Sequence, residues 1–381
     1  MNWKVPFYDL KIGREEKDAV LAVLDSNWLT AGPRLSQFEQ AFADNIGLPT
    51  EQVIATSSCT AALHLAMRTS GIGIGDEVLS PALTFVATAN AIMYVGATPV
   101  FVDICSDDEW NIDPNDLQKK ISPNTKAIVV VHYGGYPCRM DQISAIAAEN
   151  NLILIEDACH GPLAEYRGQK LGTIGDMGCF SFFSNKNMTT AEGGMLVGKD
   201  LNSIQTARAM RSHGITSSTY TRFKGHVFGY DVEIPGYNYR LDEIRAALGI
   251  EQLKKLKENH RKRKHLVDFY RQAIRSGCKR VDIPFESWDG MNGYHIFPIL
   301  LPIGIDNRKG VMQMMAENGV QTSVHYTPVH HFSAYRSDSD LLPRTDAIAP
   351  RILSLPFFPT MQKDQIEYTV DTLNKCLQSN I

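Results

Sequence analysis

Seven short apolar, β-branched runs punctuate the first two hundred residues. Their alternation with helical patterns constrains the fold more than any other feature of the 381-residue sequence. The runs VIATSS (53–58), EVLSPALT (77–84), PVFVDI (99–104), AIVVVHY (127–133), LILIEDA (152–158), CFSFF (179–183) and GMLVG (194–198) read as buried strands. Helical patterns lie between several of them: TAALHLAMRTSG (60–71), FVATANAIMYVG (85–96) and MDQISAIAAENN (140–151). Strands alternating with helices predict an α/β fold whose sheet is covered on both faces. Open sheets of this kind put their chemistry just past the carboxyl ends of the strands. That directs attention to SSCTA, LTF, HYGG, EDACH and SNKN, five strand exits that all carry polar residues.

The second half is organised differently. Residues 212–240 are rich in Gly, Ser, Thr and aromatic side chains and weakly periodic, which is expected of a lid or a subunit-crossing arm. The stretch from Arg240 to Ile274 reads as one or two long helices, with KENHRKRKH (257–265) expected to be a solvated face. Strands are expected at YHIFPILL (294–301) and VQTSVHY (320–326), with a helix over GVMQMMAENG (310–319) between them. The predicted organisation is a large domain over 1–254 and a small α+β domain over 255–381.

Composition narrows the class of function. A formal net charge of −4 gives no electrostatic reason to expect nucleic acid or an anionic membrane as partner. Seven scattered cysteines, odd in number and never in CxxC, read as reduced thiols. The N-terminal MNWKVPFYDL lacks the pattern of a secretory signal, and no apolar run approaches the ~20 residues of a membrane span. The expectation is a cytoplasmic protein.

Lys186 follows an apolar strand, flanked by Ser, Asn and Thr, with Gly193 and Gly194 soon after. A lysine there either reaches solvent from the strand end or is buried and chemically used, for example as a Schiff-base nucleophile. Asp157 and His160, in IEDACH, read as a metal pair, a turn cap, or a carboxylate partner for a cofactor ring nitrogen. Ser58, Cys59 and Thr60 stand at the mouth of a predicted helix, where free amides and the helix dipole favour a phosphate. Phe85 is either core or a stacking platform. A metal-dependent hydrolase built on His132, Asp157, His160, His325, His330 and His331 lacks any HxxEH or CxxC signature, so no metal is expected.

Taken in order, WLTAGPRLSQFE (28–39), SSCTAALHLAM (57–67), residues 71–104, residues 155–194, PGYNYRLDEIRAALG (235–249), SVHYTPVHHFSAY (323–335) and SLPFFPTM (354–361) resemble the DegT/DnrJ/EryC1/StrS sugar aminotransferases. The resemblance implies fold type I of the pyridoxal-phosphate (PLP) enzymes: a mainly parallel central sheet flanked by helices, with a smaller α+β C-terminal domain.

It also implies roles, residue by residue. Lys186 matches the Schiff-base lysine, Asp157 the partner of the pyridine nitrogen, and His160 the residue beside the ring. Ser58, Cys59, Thr60 and Ser181 match phosphate contacts, and Phe85 the stacking aromatic. Asn238 matches a residue that reaches the cofactor of a neighbouring subunit, which implies a homodimer with shared active sites. His325 and Tyr326 match a substrate-facing segment, and Trp28 and Thr30 the same pocket. The implied reaction passes an amino group from an amino acid, L-glutamate by resemblance, through the pyridoxamine form to a nucleotide-linked 4-keto sugar. Some relatives carry His at the lysine position and dehydrate instead, so Lys186 favours amino transfer. At Ala191 the family more often has Gly. A non-catalytic regulator on the same scaffold is the alternative from another class.

Overall fold

The computed structural model describes residues 3–216, 220, 223–225, 229–288, 290–304, 307–335 and 341–379. All seven expected strands of the first half form one sheet: β1 (Val53–Thr56), β2 (Glu77–Pro81), β3 (Thr98–Val102), β4 (Thr125–Val131), β5 (Ile153–Asp157), β8 (Met177–Ser181) and β9 (Gly194–Gly198). A two-residue ribbon, β6 (Glu165–Tyr166) with β7 (Gln169–Lys170), lies outside it. The sheet order is β1-β9-β8-β5-β4-β2-β3. β9 alone runs against its neighbours, and every other pairing is parallel.

Side-chain alternation sends the two faces of the sheet into different cores. Ala127, Val129, Ile155 and Leu196 join one core with helices Cys59–Thr69, Val86–Tyr94 and Leu201–Met210. Ile128, Val130 and Leu154 face helix Met140–Glu149, while Val53, Ala55, Met195 and Val197 face helix Pro33–Ile46. Both faces are thus sealed, as the near-continuous apolar runs predict.

Buried ions tie the sheet edge to its helices. Glu39 of helix Pro33–Ile46 is 4% exposed. It accepts from Ala55 N (2.9 Å), Arg211 (2.6 Å) and Arg208 (2.9 Å). Both arginines donate onward to β1 carbonyls, at Ala55 and Val53. Burial opposes ionisation of Glu39, but Arg211 and Arg208 outweigh it and hold the carboxyl below its usual range. Glu243 receives the amides of Gly32, Arg34 and Leu35, which stand at the otherwise unsatisfied N-terminus of Pro33–Ile46.

The long helical stretch is a single helix, Glu243–Gly277. Its first half adds Ala246, Leu253 and Leu256 to the sheet core, and its second half gives Leu266, Val267, Tyr270 and Ile274 to the small core. The proposed division between 254 and 255 therefore falls inside one continuous element. KENHRKRKH is mostly a solvated face, with Arg261 paired to Glu258 and Lys264 to Asp268. His260 and Arg263 depart from that expectation and are buried.

In the small domain β10 (Phe297–Leu300) falls within YHIFPILL and helix Arg308–Glu317 matches GVMQMMAENG. VQTSVHY is not a strand. Its only backbone bonds to the small sheet are those Ser323 exchanges with Ser354; His325 then meets the Ser354 side chain, and Tyr326 reaches His160 of the large domain. β10 pairs instead with β11 (Ile352–Leu355), antiparallel. Within 212–240, Ile215 bridges Val232 and Ser212 bridges Asn238, while 217–219, 221–222 and 226–228 lie outside the described residues, so the expected arm is only partly described. All seven cysteines are free thiols, and no helix among the described residues is long and apolar enough to cross a membrane.

Candidate active site

Four of the five strand exits, SSCTA, LTF, EDACH and SNKN, line one cavity of 360 Å³; HYGG does not, and β4 contributes only its last residue, Val131. The turn after β1 leads into helix Cys59–Thr69, where Ser58 caps by accepting from Ala61 N at 3.1 Å. Ser58, Cys59 and Thr60 line the cavity, so the helix's first amides and the positive end of its dipole face it. The turn is held close by β9: a Cβ on Gly194 would lie 2.4 Å from Ser58 C, so only glycine fits there. Behind it, Ser57 N donates to Tyr239 O at 2.8 Å, fastening PGYNYR against the same turn.

Asp157 ends β5 and is 4% exposed. Its Oδ2 accepts from Thr88 Oγ1 at 2.9 Å and its Oδ1 from Cys159 N at 3.2 Å. No cation among the described residues bonds to it, so its charge is held by neutral donors and remains available to a cationic group in the cavity. Thr88 was not legible as a site residue. It lies three positions past Phe85 in helix Val86–Tyr94, one turn on and on the same helix face. Phe85 is half exposed at the cavity mouth, its ring 5.9 Å from that of Tyr326.

Lys186 and Ser181 line the wall formed by β8 and the segment after it, and Lys186 is half buried. Its Nζ has no hydrogen bond or ion pair with any described residue, and its charge acts on the neighbouring histidines. Burial first, then Lys186, push His160 well below its ordinary pKa, and the same two causes lower His325 to about 4. Both rings are therefore neutral near pH 7. His160 Nε2 meets Tyr326 Oη at 3.0 Å, and His325 Nδ1 meets Ser354 Oγ at 3.0 Å. His160 Nδ1 is buried without a partner, an arrangement that a polar group in the cavity would relieve.

Ten of the expected site residues thus share one cavity. Trp28, Thr30 and Asn238 do not line it. Trp28 packs against the rings of Tyr220 and Phe223, while Thr30 and Asn238 are exposed. The six residues of the hydrolase set do not gather at one metal site: Asp157, His160 and His325 line the cavity, and His330 and His331 do not. His132 is spent on Glu156, at 3.0 Å between two fully buried groups, and the one metal-capable group among the described residues is His330, His331 and Asp346.

The sequence profile of the DegT/DnrJ/EryC1/StrS aminotransferase family matches residues 10–374. The chain belongs to that family. It is a PLP-dependent sugar aminotransferase. The aminotransferase is 36% identical to the spore coat polysaccharide biosynthesis protein SpsC of Bacillus subtilis, covering 98% of this chain and 97% of that one. It superposes on the PLP form of the sugar aminotransferase Spr1654 of Streptococcus pneumoniae with a TM-score of 0.90, at 27% identity over 99% of both chains. On DesI, solved in the presence of its TDP-sugar product, the TM-score is 0.88, at 29% identity over 99% of this chain and 93% of that one.

The cavity of the aminotransferase fits PLP by its own chemistry. It offers amides at a helix N-terminus for a phosphate, a buried carboxylate without a cation for a ring nitrogen, an aromatic at the mouth, and a lysine amine. Cys59 and Cys159 are pushed well above the usual thiol range, first by burial and then by charged neighbours that include Asp157, so they stay protonated and do not compete as nucleophiles.

Proposed function

We propose that this aminotransferase moves the amino group of L-glutamate onto a nucleotide-linked 4-keto sugar, as a cytoplasmic homodimer. The product would be an amino sugar for a surface polysaccharide or glycoconjugate, such as a lipopolysaccharide O-antigen. Carrying the reading is Lys186, without a partner among the described residues, in the cavity that also holds Asp157. Two relatives support the nucleotide-sugar and polysaccharide part of the reading: one serves polysaccharide biosynthesis and another was solved with a TDP-sugar.

When bound, PLP supplies an electron sink for charge developing at the carbon that loses or gains the amino group. The chain supplies everything else. Lys186 would anchor the cofactor through Nζ and, when its amine is free, would hold or move a proton at Nζ beside the reacting carbon. Asp157, fixed by Thr88 and the Cys159 amide, would partner the ring nitrogen and favour its protonated form. Ser58, Cys59, Thr60 and Ser181 would hold the phosphate, and Phe85, His160 and Tyr326 would contact the ring. His325 belongs to the wall that the sugar meets. Trp28, Thr30 and Asn238, outside the cavity of their own chain, would complete the site of a second copy.

A panel of UDP-, dTDP- and GDP-linked keto sugars offered with glutamate, with products identified by mass and NMR, tests the substrate. Absence of any amino sugar would overturn the reading and favour a non-catalytic binder. Borohydride reduction should fix the cofactor on the peptide bearing Lys186, and Lys186→Ala should abolish turnover. A label on another lysine would refute the assignment. Sedimentation of the holoenzyme as a monomer at micromolar concentration would remove the shared-site part.

A further inference from the structure

A second, smaller cavity of 180 Å³ shares Asn185 and Lys186 as a wall with the first. Its lining is rich in cations: Lys11, Lys255 and Arg263 stand beside Lys186, with Asp9 the only acid among the described lining residues. Lys255 is neutralised by Glu15 and Glu16. Arg263 has no such relief. It is 4% exposed, its Nη1 reaches only the carbonyls of Tyr294 and His295 at 3.2 Å each, and its Nε has no partner. The guanidinium also lies over the Phe357 ring, 5.2 Å from the centroid. A buried guanidinium without a carboxylate is costly unless something else brings the negative charge. Burial accordingly lowers its pKa to about 10.

The convergence extends to the first cavity. His295 stacks on His160 at 4.5 Å and meets Asn187, which lines the second cavity, at 3.2 Å. The volume selects the ligand class. At 180 Å³ the space lies below the ~300–1,000 Å³ of pockets that take larger ligands, so an amino-acid-sized anion suits it and a nucleoside diphosphate does not.

We propose that this second cavity is an anion subsite that receives a carboxylate of the amino donor through Arg263, while the donor's amino group is presented on the Lys186 side. The inference rests on the reading above that the donor is a dicarboxylic amino acid, and it deepens that reading. It gives the donor and the nucleotide sugar different anchoring charges around one shared lysine.

The probe is glutarate, a dicarboxylate without an amino group, titrated calorimetrically into the holoenzyme. Glutarate should bind and compete with glutamate. Arg263→Gln should weaken glutarate, and raise the half-saturating glutamate, by about tenfold or more, the effect of losing a charge-assisted bond. Half-saturation by the keto sugar should stay within about twofold. Because Arg263 is buried, Lys11→Glu is the second variant: Lys11 is exposed, and reversing its charge should weaken glutarate about fivefold without touching the core. Glutarate affinity unchanged in Lys11→Glu and in a folded Arg263→Gln overturns the subsite. So does an equal rise in half-saturation for the keto sugar, which would assign the anion site to the other substrate. If glutamate fails as donor while glutarate still binds through Arg263, the donor's identity falls and the subsite stands. If glutamate serves and glutarate ignores both variants, the subsite falls alone.

Discussion

Glu39→Gln is expected to lower stability and loosen the cofactor together, although Glu39 lies outside the cavity. The carboxylate neutralises Arg211 and Arg208 and takes the Ala55 amide from the strand that leads into Ser58, Cys59 and Thr60. The amide variant keeps the shape but leaves Arg211, with only 7% of its surface exposed, facing no anion. Breaking one partner of a buried pair typically costs about 3–5 kcal/mol. With an unfolding entropy of about 2 cal/mol/K per residue over this chain, the lower half of that range moves Tm by about 4–5 °C. Differential scanning calorimetry of the apoprotein at pH 7 measures it, and dialysis against buffer without PLP follows cofactor loss, which should be faster in the variant. The sign with pH is fixed by the lowered pKa of Glu39. Its contribution is complete above the ordinary carboxylate value and is lost as pH falls through the depressed native one. The gap between wild type and variant should therefore close in acid. A Tm change under about 1 °C at pH 7, or a gap that widens as pH falls, would refute this account of the network.

Ala191 has φ +68°, in the left-handed region that costs a non-glycine residue about 1–2 kcal/mol, so Ala191→Gly should be stabilising by about 0.5–1 kcal/mol once the freer unfolded chain is subtracted; the urea midpoint reads it. His325, lowered to about 4, leaves the unfolded chain binding more protons between pH 6.5 and 4. Stability should then fall by about 3 kcal/mol across that window on its account, and His325→Gln should flatten the slope of denaturant midpoint against pH. Thr88→Val removes a hydroxyl donor to the Asp157 carboxylate, worth about 1.5–3 kcal/mol, and should weaken PLP binding tenfold or more by spectroscopic titration; an unchanged dissociation constant would place the control of Asp157 elsewhere.

Most of the sheet was legible because a buried parallel strand must be apolar on both faces, and such runs are hard to mistake. The strand exits were legible for the same reason, since the polar residues there interrupt apolar runs. β11 escaped notice because ILSL is short and continuous with PFFP, whereas VQTSVHY alternates like a strand but spends its residues reaching the cavity. Arg263 escaped because a KENHRKRKH run reads as a charged face. Only tertiary packing against Tyr294, His295 and Phe357 reveals which of its cations is turned inward. Thr88 is a helix-start threonine like many others until Asp157 is seen beside it.

Helix Glu243–Gly277 has a consequence for how relatives of this chain can vary. Its 35 residues span about 52 Å. Near one end Gly249 is wedged between Phe38 and Thr190, where a Cβ would come within 2.7 Å and 2.9 Å of them; further along, Gln252 bonds Glu16, and beyond it Arg263 lines the second cavity. Inserting or deleting a single residue between Gly249 and Arg263 would turn everything beyond it by about 100° and carry Arg263 away from the cavity wall. The helix therefore works as a ruler with a fixed count. Surface loops on this scaffold can lengthen or shorten freely, but this interval is expected to tolerate substitution and to reject a change in length.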